Sequence, residues 1–293
     1  MLTYNTKEWF KPLIYFHKGD TFRKLWVMMI MVAIYTLLVA YFETNYFQIS
    51  ENNHVKNIPL MHSLLGFAIS MLLVFRTNTA YDRWWEGRKL WGSLVNASRN
   101  LAVKLDAILP EDDTVNRKYL SRLITLYPKE LQLHLQKEKT RLELDDKPHP
   151  EIPGFDRSRH VPSQIISHIQ RRIKSLVNTG VVSREELFIL NSELIAFLDI
   201  CGACERIKNT PIPYSYSSFI KKFIFIYTLT LPLGYVFSLG YIAVPVVVFI
   251  FYVLASLEVI AEEIEDPFGV DNNDLPMARL ADTISKNVED ILQ

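Results

Sequence analysis

The chain has 293 residues, 49% of them hydrophobic and 22% charged, and 32 basic residues balance 32 acidic ones to a formal net charge of zero. That balance excludes a general nucleic-acid binder, because affinity for phosphates requires an excess of Lys and Arg. The mean hydropathy of +0.09 is high for a chain with so many charges, which indicates that the apolar residues are concentrated in separate segments.

The first two apolar runs occupy residues 25–42 and 58–75. A helix needs about 20 mostly apolar residues to cross the hydrocarbon core of a bilayer, so both runs predict spanning helices. The second run passes into Arg76 and the basic, aromatic stretch "RWWEGRKLWG" (83–92) with no Gly or Pro between them. This pattern predicts one helix that leaves the membrane and continues into water. His62, near the outer end of the second run, indicates either a functional ionisable group or ordinary packing.

The region 76–217 predicts further helices, because its apolar residues recur every three to four positions. A Pro-rich loop at 145–162 divides the region, and Pro128 is expected to interrupt one helix. Ser183 followed by Glu186 predicts a capping box at the start of the last helix. The pattern shows no alternating strand of useful length. The predicted helices are 93–109, 114–138, 162–178 and 183–208.

The third and fourth apolar runs, 219–240 and 241–261, predict two more spanning helices. Basic residues flank the ends of the runs that adjoin 76–217, whereas residues 43–57 carry a single Lys and no Arg. The positive-inside rule therefore predicts that both termini and the region 76–217 are cytoplasmic.

These assignments predict an all-α, multi-pass membrane protein. The first 24 residues lack the short apolar core and cleavage site of a signal peptide, and Asp20–Thr21 is well placed to cap the first spanning helix. The predicted organisation is a cytosolic lead-in at 1–24, spanning helices 1 and 2 at 25–75, a cytosolic helical region at 76–217, spanning helices 3 and 4 at 218–262, and an acidic cytosolic segment at 263–293.

The sequence shows no enzyme motif: P-loop, GxGxxG and GxSxG patterns are absent, and the seven His residues show no ligand spacing such as HExxH. Cys201 and Cys204 form a CxxC. A redox or zinc role needs a thioredoxin-like context or a second Cys/His pair, so two small packed residues are expected. The acidic run 258–274 is expected to be a solvated flank, with a Ca²⁺ site as the alternative because carboxylates supply hard oxygen ligands.

Two stretches resemble the bestrophin family, and its bacterial branch in particular. They are "FRTNTAYDRWWEGRKLWG" (75–92) after the second run and "EDPFGVDNND" (265–274) after the fourth. Gly19, the Ile-Pro pair that opens the second run, Cys201–Gly202 and Ile212–Pro213 extend the resemblance to nearly the whole chain. The resemblance implies a bestrophin-like homopentamer with one axial pore, four spanning helices per subunit, both termini inside, and a bacterial cytoplasmic membrane.

In this family the second helix of every subunit lines the pore and forms a hydrophobic neck. The resemblance places the neck at Phe67, Met71 and Phe75. Four residues turn a helix by about 400°, so these positions drift slowly around one face. Five copies would stack three apolar rings, which can gate by dewetting. Without the resemblance, lipid-facing or packing residues would be the preferred interpretation.

The family has a second constriction, a cytosolic aperture near the start of the helix that carries the Cys-Gly pair. The resemblance places it at Glu185, where family members often have an apolar residue, and a one-residue slip would select Glu186. Five glutamates around a narrow opening would favour monovalent cations and repel anions. The alternative is an acid at a helix N-terminus, which the helix dipole stabilises.

The acidic segment after the fourth run corresponds to the calcium clasp of animal members. Position by position, its side-chain ligands fall on Glu263, Asp266, Asp271 and Asp274, all of which carry oxygen. Two interpretations stay open here: a divalent cation site for Ca²⁺, or a structural belt between neighbouring subunits in a channel that does not need calcium.

The predicted function is therefore a homopentameric channel for small monovalent ions, and not an enzyme. It is cation-leaning if Glu185 forms a ring, and a chloride or anion channel of the same architecture is the alternative. Two other classes stay open: a transporter, although the chain shows no mirrored half, and a membrane-anchored scaffold. The expected partners are further copies of the chain, the lipid bilayer and the permeating ions, with no nucleic acid.

Overall fold

The computed structural model describes residues 20–47, 58–136, 156 and 158–292. The regular structure of these residues is helical, without a strand, which confirms the predicted all-α class. A π-helical segment, Glu43–Phe47, follows the first helix. The α-helices of the described residues are α1 Asp20–Phe42, α2 Ile58–Ile108, α3 Thr114–Gln136, α4 Val161–Asn178, α5 Arg184–Asn209, α6 Tyr214–Leu239, α7 Ala243–Glu265 and α8 Met277–Leu292.

Several predictions concern residues outside the described ranges. The lead-in up to residue 19, Gly19 itself, the loop residues 48–57 and most of the loop at 145–162 fall there, as does the capping side chain of Asp20. These parts of the sequence analysis stay predictions.

The described residues belong to two compact units. We call the first the apolar unit; it comprises the described residues of Leu2–Asp82 and Pro211–Glu265. The second, the bundle unit, comprises those of Arg83–Thr210 and Asp266–Gln293. Helix α2 contributes to both units, because it continues from Ile58 to Ile108 without a break. The prediction of one continuous helix through the motif stretch is therefore confirmed.

The apolar unit consists of α1, the first half of α2, α6 and α7. Helix α1 packs against α7 and α6, and α6 packs against α7. Large apolar side chains cover much of its outer surface as well as its interior, which is typical of helices surrounded by lipid. Its core contains Leu25, Ile69, Leu73, Ile220, Ile224, Leu231, Val247 and Phe251.

Within the described part of the chain, four stretches are long and apolar enough to span a membrane: Thr21–Tyr46, Ile58–Ile108, Arg184–Asn209 and Tyr214–Glu265. The last contains two helices, α6 and α7, which meet at Gly240. Its φ of +54° lies in the left-handed region that glycine adopts without steric cost. All four apolar runs of the sequence thus lie in helices. Helix α5 is one of the four stretches that are long and apolar enough to span, although its apolar face packs in the bundle unit.

The bundle unit contains the second half of α2 with α3, α4, α5 and α8. Helix α3 packs against α8 and α4, and α4 packs against α5. In the core, the ring of Tyr127 meets Phe197 edge-on at 4.8 Å between centroids, and its hydroxyl donates to the Phe197 carbonyl at 2.7 Å. A buried tyrosine that finds such an acceptor fixes the register of α3 against α5.

Two local predictions for this unit have different outcomes. The capping box is confirmed: the Ser183 side chain accepts from the Glu186 amide while Glu186 reaches back to the Ser183 amide. The interruption at Pro128 is wrong, because α3 continues through it. Proline removes one helical hydrogen bond, but the buried neighbours Leu123, Ile124 and Leu131 keep the helix packed on both sides of it.

Candidate functional site

The first half of α2 has one buried face and one exposed face. Ile69 and Leu73 are fully buried in the core of the apolar unit. The predicted neck residues point the other way: 70% of Phe67, 44% of Met71 and 57% of Phe75 is exposed. A helix turns by 100° per residue, so positions two apart lie on nearly opposite sides. The three side chains therefore lie on the side of α2 that faces away from the core of the apolar unit.

The exposed face is wider than the predicted stripe. Five more large apolar side chains within the run 58–75 are exposed: Leu60, Met61, Leu64, Leu65 and Val74. A face of this width suits contact with lipid, with a neighbouring helix or with a pore. Single-chain exposure is common to all three environments, so the neck stays a prediction.

His62 joins α2 to α6 inside the apolar unit. Its ring lies 3.0 Å from the Ile58 carbonyl through Nδ1 and 3.1 Å from the Thr230 hydroxyl through Nε2. The Tyr227 hydroxyl donates to the His62 carbonyl at 3.3 Å, and a Cβ on Gly66 would lie 2.8 Å from the Tyr227 oxygen. Both ring nitrogens have partners, which supports the packing interpretation of His62.

Arg76, the first charge after the second apolar run, is buried and paired. Its Nη2 lies 2.6 Å from Oε2 of Glu265, and its Nε lies 3.6 Å from Oε2 of Glu258. The other Glu265 oxygen accepts from the Ile212 amide at 2.7 Å. The arrangement joins α2 to the end of α7 and to the turn before α6. The hydropathy pattern alone indicates only that Arg76 ends the second apolar run, and it does not identify these partners.

The two stretches that carry the family resemblance meet in the bundle unit. The Trp84 indole donates to the Asn273 carbonyl at 3.0 Å. A Cβ on Gly87 would lie 3.1 Å from the Phe268 ring and 3.2 Å from Pro267. The motif thus supplies a tryptophan that donates to the second stretch and a glycine against which its Pro-Phe pair packs.

Arg83 of the same motif binds the C-terminal end of α5. Its guanidinium donates to the carbonyls of Ile207 and Thr210, which are among the carbonyls left without a partner at a helix end. A cation at this position also complements the negative end of the helix dipole.

The predicted calcium ligands have partners of other kinds. Glu263 accepts from Lys24 at 2.7 Å in the apolar unit. In the bundle unit, Asp266 accepts from Lys208 at 2.9 Å, and buried Asp274 accepts from the amide of exposed Asp271 at 2.6 Å. Among the described residues, no three of these four carboxylates bring ligand oxygens within 4.8 Å of one another. The calcium site stays a prediction.

Glu185 and Glu186, the two candidates for the aperture, have different roles at the start of α5. Glu186 completes the capping box: its Oε2 accepts from the Ser183 amide at 2.7 Å, which lowers the pKa of the Glu186 carboxyl. Glu185 is exposed, and among the described residues no hydrogen bond or ion pair involves it. The Glu186 carboxylate is thus bound in the helix cap and the Glu185 carboxylate is not, and the aperture stays a prediction.

Basic side chains line a groove between α4 and α5 close to this helix start. Arg171 and Lys174 come from α4 and Arg184 from α5, with the exposed ring of Phe188 beside them. The surroundings of Glu185 therefore carry positive as well as negative charge, and both bear on which ions the region attracts.

Cys201 and Cys204 are free and buried in the core of the bundle unit. Burial raises the pKa of the Cys201 thiol to about 12, with the nearby Glu205 carboxylate as a second cause. A thiol of this kind stays protonated at neutral pH, which makes it a poor nucleophile. The packing role expected for the pair is consistent with this environment.

The family model described as "Bacterial/Fungal Bestrophin protein" matches residues 1–290. A voltage-dependent anion channel-forming protein of Nostoc is 31% identical over 99% of this chain and 94% of its own length. A protein of the same description from Escherichia coli K12 is 30% identical over 97% and 91%. A crystal structure of a bacterial bestrophin homologue from Klebsiella pneumoniae superposes with a TM-score of 0.77 at 28% identity, over 90% and 97% of the two chains. The chain therefore belongs to the family of bacterial and fungal bestrophins.

Proposed function

We propose that the chain forms a homopentameric ion channel in a bacterial cytoplasmic membrane, with the pore lined by α2 of each subunit. The observation that carries the proposal is the exposed apolar face of α2, opposite its buried face, in a chain that matches the bestrophin family from end to end. Five copies of a helix with this asymmetry can surround an axis while their buried faces stay packed in their own subunits. The relatives described as channel-forming proteins support conduction rather than catalysis.

In the proposed pore, Phe67, Met71 and Phe75 form three successive apolar rings. Rings of this kind give ions nothing to exchange for their hydration shell, so the constriction conducts only while it is wetted. The exposure of all three side chains in the single chain supports this role, because a pore-lining residue has to lie outside its own subunit's core.

We place the bundle unit, the acidic segment 263–293 and both termini in the cytoplasm. The basic residues beside the apolar runs support this orientation. For α5, the capping box at Ser183 supports this placement, and so does the hydrogen bonding of Arg83 to carbonyls at the C-terminal end of the helix. A helix whose two ends are satisfied within the bundle unit fits a water-exposed helical region.

Glu185 is proposed to line the second constriction and to make the channel cation-leaning. Its carboxylate is exposed and stands outside the capping box, so a ring of five would present five carboxylates to a passing ion. An acidic ring of this type concentrates cations and excludes anions.

Anion conduction is the second candidate, and two observations favour it. The relatives from Nostoc and Escherichia coli are described as anion channel-forming proteins. In addition, Arg171, Lys174 and Arg184 line the groove close to Glu185 and would attract chloride.

The deciding experiment is the reversal potential of the purified protein in planar bilayers under a potassium chloride gradient. Glu185→Gln removes the proposed ring charge, so the reversal potential is expected to move toward that of chloride. Glu186→Gln is the matched control, since glutamine can still complete the capping box, and it should leave the reversal potential unchanged. Equal potentials for the wild type and Glu185→Gln would contradict the ring. An absence of unitary current steps would contradict the channel and favour a transporter or a scaffold.

A further inference from the structure

Three ligand-type side chains of the bundle unit converge from three different helices. They are His134 in the last turn of α3, His160 at the N-cap of α4, and Glu205 in the C-terminal half of α5. One carboxylate oxygen, Oε1 of Glu205, lies 2.6 Å from Nε2 of His134 and 2.7 Å from Nε2 of His160. The two imidazole rings stand edge to face, with 4.5 Å between their centroids.

We propose that His134, His160 and Glu205 bind one zinc ion, with water at the fourth position. Two imidazole nitrogens and a carboxylate oxygen form a known three-ligand set for this metal, which takes four ligands in tetrahedral arrangement. Among the described residues this is the group whose three ligand atoms all lie within 4.8 Å of one another. A hard cation such as Ca²⁺ prefers oxygen ligands alone, so the two nitrogens select a transition metal.

The site is open enough for an ion to enter. About a third of each side chain is exposed: 32% of His134, 34% of His160 and 31% of Glu205. Metal–ligand bonds of about 2.0–2.2 Å at tetrahedral angles separate the ligand atoms by roughly 3.4 Å. The two nitrogen–oxygen distances to Glu205 are hydrogen-bond distances, which are shorter than this ligand–ligand separation. Zinc binding therefore requires the three side chains to move apart by less than about 1 Å. Rotation of half-exposed side chains supplies a shift of this size.

Zinc binding breaks a hydrogen bond at the start of α4. The Nδ1 atom of His160 accepts from the Ser163 amide at 3.2 Å, so a neutral ring carries its proton on Nε2 and donates it to Glu205. Coordination through Nε2 transfers this proton to Nδ1, and the Ser163 amide loses its acceptor. Zinc therefore competes with three hydrogen bonds, two of them to Glu205 and one at the helix cap.

Cys201 lies next to the site without belonging to it. Its sulfur is 3.8 Å from Nε2 of His160 but is not within the common 4.8 Å of the other ligand atoms. The side chain is buried, unlike the three ligands.

The test is isothermal titration of zinc chloride into the full-length protein, purified in detergent without a polyhistidine tag. One zinc per subunit is expected for the wild type. His134→Ala and Glu205→Gln should each weaken zinc binding at least about tenfold, since each removes a direct ligand. His168→Ala, on the same helix as His160, removes a histidine elsewhere and should change the affinity less than about twofold. Cys201→Ala should behave like that control.

Thermal unfolding of the same proteins separates a lost ligand from a lost fold. Zinc should raise the melting temperature of the wild type and of His168→Ala, because a ligand that binds only the folded state stabilises it, and should not raise that of Glu205→Gln. Wild-type protein that shows no saturable zinc binding, or variants at 134 and 205 that bind like the wild type, would overturn the site and leave a hydrogen-bonded His-Glu-His cluster. Neither readout requires ion conduction, so this proposal can fail while the channel stands, and the reverse.

Discussion

The guanidinium of Arg76 lies 2.6 Å from the carboxylate of Glu265, although 189 residues separate the two in sequence. Arg76 is almost completely buried, and the second carboxylate near it, Glu258, is buried as well. A buried cation of this kind has a large desolvation cost, which its partners offset only while the geometry is kept. The contact joins the end of the apolar half of α2 to the end of α7.

Arg76→Gln is therefore expected to lower the free energy of unfolding by about 3–5 kcal/mol, because it leaves two carboxylates without their cation. Urea-induced unfolding in detergent, followed by tryptophan fluorescence, measures the change. Arg206→Gln serves as the control: Arg206 pairs with Glu86 at 2.7 Å on the surface, where ion pairs contribute at most about 1 kcal/mol. Similar losses for both variants would contradict a special role for the buried pair.

A second prediction concerns the contact between the two family stretches. Gly87→Ala puts a methyl group about 3.1 Å from the Phe268 ring, and overpacking of this kind costs about 1–3 kcal/mol. Gly92→Ala is the matched control on the same helix, since its Cβ would meet only the flexible end of Arg88 at 3.4 Å. That substitution should be neutral or stabilise the helix by up to about 1 kcal/mol. Differential scanning fluorimetry should show a lower melting temperature for Gly87→Ala and an unchanged or higher one for Gly92→Ala.

The apolar neck gives a third prediction, measured as single-channel conductance in planar bilayers. Phe67→Ala, Met71→Ala and Phe75→Ala each widen one proposed ring and make it easier to wet, so each should increase conductance or open probability. Leu65→Ala changes a side chain of the same helix that is also exposed, 40%, but lies about 80° or more from each stripe residue around the helix. An equal effect of Leu65→Ala would indicate that the stripe does not line the pore.

Calcium dependence provides a fourth prediction. Glu263 is paired with Lys24, and Asp266 is paired with Lys208, so these carboxylates already have positive partners. We therefore expect currents to persist when calcium is chelated, and Asp271→Asn to leave them unchanged because that side chain is exposed. Currents that vanish on chelation and return with added calcium would instead support the clasp.

Much of the local structure could be predicted from the sequence, because it depends on neighbouring residues alone. The length of each of the four apolar runs indicated a helix there, and the absence of a helix breaker after Phe75 indicated that the second helix continues beyond its apolar run, as α2 does from Ile58 to Ile108. The spacing of Ser183 and Glu186 predicted a capping box, in which each side chain accepts from the backbone amide of the other residue, three positions away. The error at Pro128 has the opposite origin, since buried contacts with other helices outweigh a local preference there.

The sequence by itself determined the fold class, the helix positions and the family, because hydropathy, helix periodicity and a contiguous motif are properties of the chain read in order. Only the tertiary structure decided which residues meet. It paired Arg76 with Glu265, assigned the cap to Glu186 and so left Glu185 available, and brought His134, His160 and Glu205 together. No spacing rule describes ligands separated by tens of residues, since their distance depends on how helices pack and not on their order in the chain.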